Sequence, residues 1–327
     1  MRIVLPDDWN GFAAASGQLE RLAALGAVTV YDRPARDRAE LLERLAPAEV
    51  AVLIRARTRL DAELLAALPH LRLVAVTGTG YAHVDVEAAT ARGILVCNSP
   101  GRSARSVAEL AFALLLAAWR HVAKADRAVR RGAWGDPWTT LEGRELAGRT
   151  LGVLGLGNIG PLVARIARGF DMRVLAWSAN LTPERAAAAG ATYAPLDRLL
   201  AESDAVSIHL RLSDRTRGLL GRRELALLKP GAVLVNTSRG EIVDEEALVE
   251  ALRAGRIAAG LDVFREEPLP ASHPLTALDN VVLTPHIGSV TQESSRRWME
   301  GAVETVAAYA AGRPIHVVNP AAQARRL

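Results

Sequence analysis

The stretch that most constrains this chain runs from Thr150 to Gly160 as Thr-Leu-Gly-Val-Leu-Gly-Leu-Gly-Asn-Ile-Gly, then continues from Pro161 to Ala167 with helical spacing. An apolar run breaks into glycines and the period then changes, which reads as strand, tight turn, helix. Gly155 permits the turn, Gly157 lets the backbone approach a pyrophosphate, and Gly160 lets the helix lie close on the strand. Leu156, Asn158 and Ile159 fill the places between them. Phosphate then sits at the helix N-terminus, among N–H groups that have no partner inside the helix. Pro161 fits the first helical turn, where a missing N–H loses nothing. Such a glycine pattern can be only a turn, but between a strand and a helix it points to dinucleotide binding.

A chain of 327 residues is long enough for two domains with separate cores. Half of the residues are hydrophobic, which argues against disorder. The net charge is only +4 and the arginines are interspersed with acids and apolar residues, so no nucleic-acid partner is expected. Lys124 and Lys229 are the only lysines, which leaves little room for Schiff-base chemistry. Cys97 is the single cysteine, so a disulfide framework or a thiolate metal site within one chain is excluded, and no metal is expected. Neither a secretory leader pattern nor an apolar run of membrane-spanning length is found. The expectation is a soluble cytoplasmic protein with no membrane partner.

Short apolar runs at Arg2 to Leu5, Val28 to Tyr31, Val50 to Ile54, Leu71 to Val76 and Ile94 to Cys97 alternate with segments of helical spacing, as in a parallel α/β sheet. Ligands of such sheets bind beyond the carboxyl ends of the strands. Arg55-Ala56-Arg57 follows the third run and Gly78-Thr79-Gly80 the fourth. These glycines either make a turn or, with the Thr79 and Gly80 amides, form a nest for a carboxylate. Ser103 to Ala123 reads as one long helix bridging two domains, followed by an aromatic loop, Arg131 to Trp138. From Thr150 a second β/α series adds Arg173 to Trp177, Asp204 to His209, Ala232 to Asn236, Ile257 to Asp262 and Val281 to Leu283. With the first strand these make a six-stranded doubly wound sheet. A last helix spans Gln292 to Ala311, and the tail can return to the first domain.

Three loops after strands of the second series carry reactive side chains: Arg239 in Asn-Thr-Ser-Arg-Gly, Glu267 after Asp262, and His286 in Thr-Pro-His-Ile-Gly. Each alone has a bland reading as a solvated arginine, a loop acid or a satisfied histidine. Together they match what hydride addition to a carbonyl requires: a proton donor, a cation polarising the oxygen, and a carboxylate favouring the imidazolium. His273, in the loop after Glu267, is the rival histidine.

The order and wording of these motifs resemble the D-isomer-specific 2-hydroxyacid dehydrogenases. The likeness runs from Ile54-Arg55-Ala56-Arg57-Thr58 through Gly78-Thr79-Gly80, Ser106-Val107-Ala108-Glu109, the glycine motif, Leu228-Lys229-Pro230-Gly231 and the arginine motif to Thr284-Pro285-His286-Ile287-Gly288. It implies two doubly wound parallel-sheet α/β domains. A Rossmann cofactor domain, residues 101–289, is inserted into a flavodoxin-like substrate domain, residues 1–100 and 290–327, across a cleft that closes on substrate. It implies that His286 is the acid/base, that Glu267 supports it, and that Arg239 binds a small 2-keto acid together with Arg55, Gly78, Thr79, Gly80 and His286. Cofactor contacts fall on Gly155, Leu156, Gly157, Asn158, Ile159, Gly160, Ser178, His209, Thr237, Ser238, Gly288 and Asp262, the last beside the nicotinamide amide. A homodimer through the cofactor domain is implied, with Trp138 as a counterpart of the loop tryptophan that enters the partner's site in glyoxylate and hydroxypyruvate reductases.

One position departs from the pattern. The strand Arg173 to Trp177 ends in Ser178, where an acid normally binds the adenosine ribose about twenty residues after the glycines. Serine removes a carboxylate that would repel a 2′-phosphate, yet no arginine follows to bind one. NAD and NADP both stay open, with NAD preferred. Formate dehydrogenases of this fold carry glutamine where Glu267 stands, which argues against that activity. A cofactor-sensing corepressor of the same fold is the non-catalytic alternative.

Overall fold

The structure, a computed structural model, describes residues 1–325. The chain divides into two compact units, Met1–Ser103 with Val290–Leu327, and Ala104–Ser289.

In the first unit, strands β1 (Arg2–Leu5), β2 (Ala27–Val30), β3 (Val50–Ile54), β4 (Leu73–Thr77) and β5 (Leu95–Cys97) form a parallel sheet in the order β2-β1-β3-β4-β5. Every residue of β3 and β4 is buried, as expected for strands covered on both faces. Their side chains alternate between two cores: Val50, Val52 and Ile54 face one, while Ala51 and Leu53 face the other. The tail does return here. The helix Gln292–Ala310, capped by Thr291, packs Trp298, Met299, Ala302, Val303 and Val306 into the first of these cores. Asp37, Asp61 and Asp85 each accept a backbone N–H at 2.8–2.9 Å and so begin the helices that follow β2, β3 and the loop after β4.

In the second unit, β6 (Thr150–Leu154), β7 (Arg173–Trp177), β8 (Thr192–Tyr193), β9 (Ala205–Ile208), β10 (Ala232–Asn236), β11 (Ile257–Leu261) and β12 (Val281–Leu283) form a parallel sheet in the order β12-β11-β10-β9-β6-β7-β8. The sheet has seven strands where the sequence suggests six. The extra strand, β8, is two residues long, too short to show a period, and exists by pairing Thr192 and Tyr193 with Leu175 and Ala176. The predicted helix over 103–123 also differs. It ends at Trp119, and a second helix, Val122–Arg130, leaves at 64°. The hinge is His121, at φ 54°, a conformation that periodicity cannot anticipate in a histidine. The break falls where burial stops. Helix Ala104–Trp119 lies on β11 at Gly260, where a Cβ would stand 2.7 Å from that of Leu114, whereas Val122–Arg130 buries no residue. Within the aromatic loop, Pro137–Thr140 forms one helical turn.

Candidate active site

The glycine turn has the geometry that its spacing demands. Gly155 sits at φ +99° and donates its N–H to the Trp177 carbonyl at 2.8 Å, and a Cβ there would stand 2.6 Å from the His209 carbonyl oxygen. A Cβ at Gly160 would fall 2.0 Å from the Gly155 carbonyl oxygen, so only glycine lets the helix start this close to β6. A Cβ at Gly157 would meet nothing within 4 Å, and Gly157 and Asn158 are exposed. Helix Gly160–Gly169 carries no side-chain cap; Pro161 has no N–H and Leu162 donates to the Ile159 carbonyl at 2.9 Å, so the Gly160 amide at the helix start is the one without a backbone partner among the described residues. Leu156 and Ile159 pack on the core beneath.

The other strand ends of this unit lie along the same edge. Ser178 follows β7 and is half-buried. His209, after β9, shares a 2.8 Å hydrogen bond between Nε2 and Ser207 Oγ, while its Nδ1 is buried without a partner among the described residues; burial pushes the imidazole down to about 3. After β10, the Asn236 side chain folds the next turn, accepting from the Ser238 amide at 3.0 Å and donating to the Arg239 carbonyl at 2.9 Å. Ser238 Oγ donates to the Leu210 carbonyl, and Thr237 Oγ1 is buried without a partner among the described residues. Arg239 is exposed; its guanidinium donates to the Ser238 carbonyl at 2.6 Å and forms no ion pair among the described residues.

Glu267 and His286 meet. Glu267 Oε2 lies 2.7 Å from His286 Nδ1, and Oε1 accepts the Phe264 N–H at 3.0 Å, so the carboxylate is tied to its own loop and to the ring. Gly240 brings the Arg239 turn against that loop, since a Cβ there would fall 2.1 Å from the Phe264 carbonyl carbon. His286 is at φ 53°, rare for a non-glycine residue, with its ring 43% exposed. Beneath it, buried Asp262 accepts from Thr284 Oγ1 at 2.6 Å and from the Ile287 and Gly288 amides at 2.8 Å. Its carboxylate therefore anchors the histidine loop, a role not evident from its place in the motif. His273 is occupied elsewhere: Nε2 lies 3.3 Å from Glu245 Oε1, and Nδ1 accepts the Leu275 N–H.

In the first unit, Gly78 at φ +97° turns the chain after β4 and leaves Thr79 and Gly80 exposed, their amides without a partner among the described residues. Arg55, at φ 58°, donates its N–H to Thr77 Oγ1 at 2.9 Å and holds its guanidinium 5.8 Å from the Trp298 ring. A cavity of about 380 Å³ opens beyond β1 and β3 between Trp9, Arg38, Arg57 and Asp61, apart from the Gly78–Gly80 turn; Arg38 already pairs with Asp61, and Thr58 donates to Asp7. Among the described residues no cluster of histidine, cysteine or carboxylate suits a metal, and no single helix is long and apolar enough to cross a membrane. The side chain of Trp138 lies outside the described residues; Trp134 is 85% exposed.

A dinucleotide fits this edge on two structural grounds: the open space over Gly157 at an uncapped helix start, and the buried, unpartnered Thr237 hydroxyl and His209 nitrogen at neighbouring strand ends.

Known proteins carry the same signature. Residues 112–288 match the family model for the NAD-binding domain of D-isomer specific 2-hydroxyacid dehydrogenases. The chain is 45% identical over 311 residues to the glyoxylate reductase of Aeropyrum pernix, covering 92% of each. It is 45% identical over 295 residues to the D-3-phosphoglycerate dehydrogenase of Mycobacterium leprae, and spans 55% of that longer protein. The crystal structure of the TT0316 protein from Thermus thermophilus superposes with a TM-score of 0.83 at 40% identity, covering 97% of this chain and all of that one. The two parallel-sheet units, the dinucleotide turn and these likenesses agree: the chain belongs to the D-isomer specific 2-hydroxyacid dehydrogenases and is an oxidoreductase of that family.

Proposed function

We propose that this protein reduces a small 2-keto acid to its D-2-hydroxy acid, with glyoxylate the first candidate. The observation that carries the reading is the 2.7 Å pairing of His286 Nδ1 with Glu267, next to the turn of Arg239, whose guanidinium has no ion pair among the described residues, and on the same sheet as the glycine turn. The residues assigned to the dinucleotide are Gly155 to Gly160, Ser178, His209, Thr237, Ser238, Asp262 and Gly288; a reduced nicotinamide, when bound, supplies the hydride. His286 Nε2 gives its proton to the keto oxygen as negative charge develops there, Glu267 holds Nδ1 and balances the imidazolium, and Arg239 polarises the carbonyl and pairs with the substrate. Arg55 and the Gly78–Gly80 turn, with the Thr79 and Gly80 amides, are assigned to the substrate carboxylate. In the reverse direction the same ring takes the hydroxyl proton.

We further propose a homodimer through the second unit. Helix Val122–Arg130 buries none of its residues, and Val122, Val129 and Trp134 are 53%, 53% and 85% exposed. Light scattering reporting a monomer would remove that proposal. The test of the activity is to follow oxidation of NADH and of NADPH with glyoxylate, hydroxypyruvate, pyruvate and phosphohydroxypyruvate, and to determine the configuration of chiral products. No oxidation with any of them would reject the catalytic reading in favour of a cofactor-sensing one.

A further inference from the structure

We infer that the preferred dinucleotide is NADP(H) and that Arg211, in the loop after β9, is the cation that receives its 2′-phosphate; this rests on the dinucleotide reading above. In a doubly wound sheet the adenosine ribose lies beyond the strand that follows the glycine turn and its helix, here β7, and a nearby arginine is what accommodates a 2′-phosphate. Ser178 at the end of β7 is uncharged. The first arginine after it, Arg185, follows Glu184 and donates Nη1 to the Asn180 carbonyl at 3.1 Å.

The sheet order brings another arginine to this edge. Strands β7 and β9 are the two neighbours of β6, and their ends close on one residue from opposite sides. Gly155 bonds to the Trp177 carbonyl at 2.8 Å, while a Cβ on it would stand 2.6 Å from the His209 carbonyl oxygen and 3.2 Å from the Leu210 side chain. Ser178 is one residue past the first contact and Arg211 one residue past the last. Both thus stand at the end of the strand that carries the glycine turn, although they are far apart in sequence.

The local structure presents Arg211 outward. Leu210 and Leu212 pack on the apolar core, and Arg211 between them is exposed. Its carbonyl accepts Thr216 Oγ1 at 2.7 Å, and that oxygen also accepts the Ser213 N–H at 2.8 Å, which pins the loop. Three exposed arginines of this unit are spent on carboxylates, Arg198 on Glu202, Arg222 on Glu250 and Arg223 on Asp197, whereas Arg239, assigned above to the substrate, is not. The Arg211 guanidinium has no such partner among the described residues, although Asp214 lies three residues on. A planar guanidinium matches a phosphate with paired N–H donors, and serine at 178 leaves no carboxylate to repel it.

The test is calorimetric titration of the wild type and R211A with 2′,5′-ADP, 5′-AMP, NADPH and NADH. The wild type should bind 2′,5′-ADP about 10- to 100-fold more tightly than 5′-AMP, as a charge-assisted contact implies. That ratio should fall to near unity in R211A and recover in part in R211K. A wild-type ratio near unity, or one retained in R211A, overturns the assignment while NADH binding keeps the dinucleotide reading intact. Binding of neither NADPH nor NADH overturns both.

Discussion

Gly157→Ala is expected to separate folding from cofactor binding. A methyl group at 157 meets no heavy atom within 4 Å, and the backbone there is outside the left-handed region, so the folded chain accommodates alanine. Removing one glycine from the unfolded ensemble stabilises by about 0.4–1 kcal/mol, a Tm rise of at most a few degrees. The same methyl occupies the space through which a pyrophosphate approaches the turn. Losing one charge-assisted hydrogen bond to a backbone amide costs roughly 1.5–3 kcal/mol, which weakens NADH and NADPH about 10- to 150-fold. Gly160→Ala is the control: its methyl falls 2.0 Å from a backbone oxygen, the helix must leave the strand, and both Tm and affinity fall. Differential scanning fluorimetry and fluorescence titration with each dinucleotide read the two quantities. A folded Gly157→Ala that binds both cofactors like the wild type would refute the placement of the pyrophosphate, and one that melts far below the wild type would refute the open space at 157.

His286→Ala should lower keto-acid reduction by ~10²- to 10⁴-fold while dinucleotide titrations stay nearly unchanged, whereas substituting His273, held by Glu245, should cost far less; the reverse ranking in steady-state assays would remove His286 from the mechanism. Glu267→Gln keeps a hydrogen-bonding side chain but not the charge, so the rate should fall by a substantial part of that factor with dinucleotide affinity preserved; an unaltered kcat would uncouple the pair. Ser178→Asp should raise the ratio of kcat/KM for NADH over NADPH, through repulsion of the 2′-phosphate, and a constant ratio would mean that residue 178 does not face the ribose. For His209, burial lowers the imidazole from 6.5 to about 3, so the unfolded chain takes up a proton that the folded chain refuses. That contribution is present above about 6.5, and its loss as pH falls should reach about 2 kcal/mol by pH 5; equally steep acid destabilisation of His209→Gln in urea melts would contradict it.

The parts of this molecule legible in its sequence are those encoded locally. The strand β3 is an unbroken apolar run and β6 and β10 are mostly apolar, while neighbouring backbone explains the glycines at 155 and 160 and open space surrounds the one at 157. Arg239, Glu267 and His286 are visible as residue types after strands, and the family resemblance supplies their roles. What stays hidden depends on atoms distant in sequence. The end of the long helix at His121 follows from the lack of anything to bury Val122. Strand β8 exists only through pairing. Sequence distance also hides that Ser178 and Arg211 follow the two strands flanking β6, which only the β7-β6-β9 order shows.

The three proposed reactive side chains leave adjacent strands in the order β12-β11-β10, and the middle strand's loop holds the other two. Toward β12, Asp262 takes three hydrogen bonds from the loop containing His286, and Glu267 takes the ring itself. Toward β10, the absent Cβ of Gly240 lets the Arg239 turn rest on Phe264, whose amide also binds Glu267. A histidine at φ 53° persists because this framework over-determines it. The proposed acid, its carboxylate and the backbone turn of Arg239 are therefore held within one unit, and in the proposed mechanism the cost of orienting them is met during folding, as electrostatic preorganisation of a proton transfer requires.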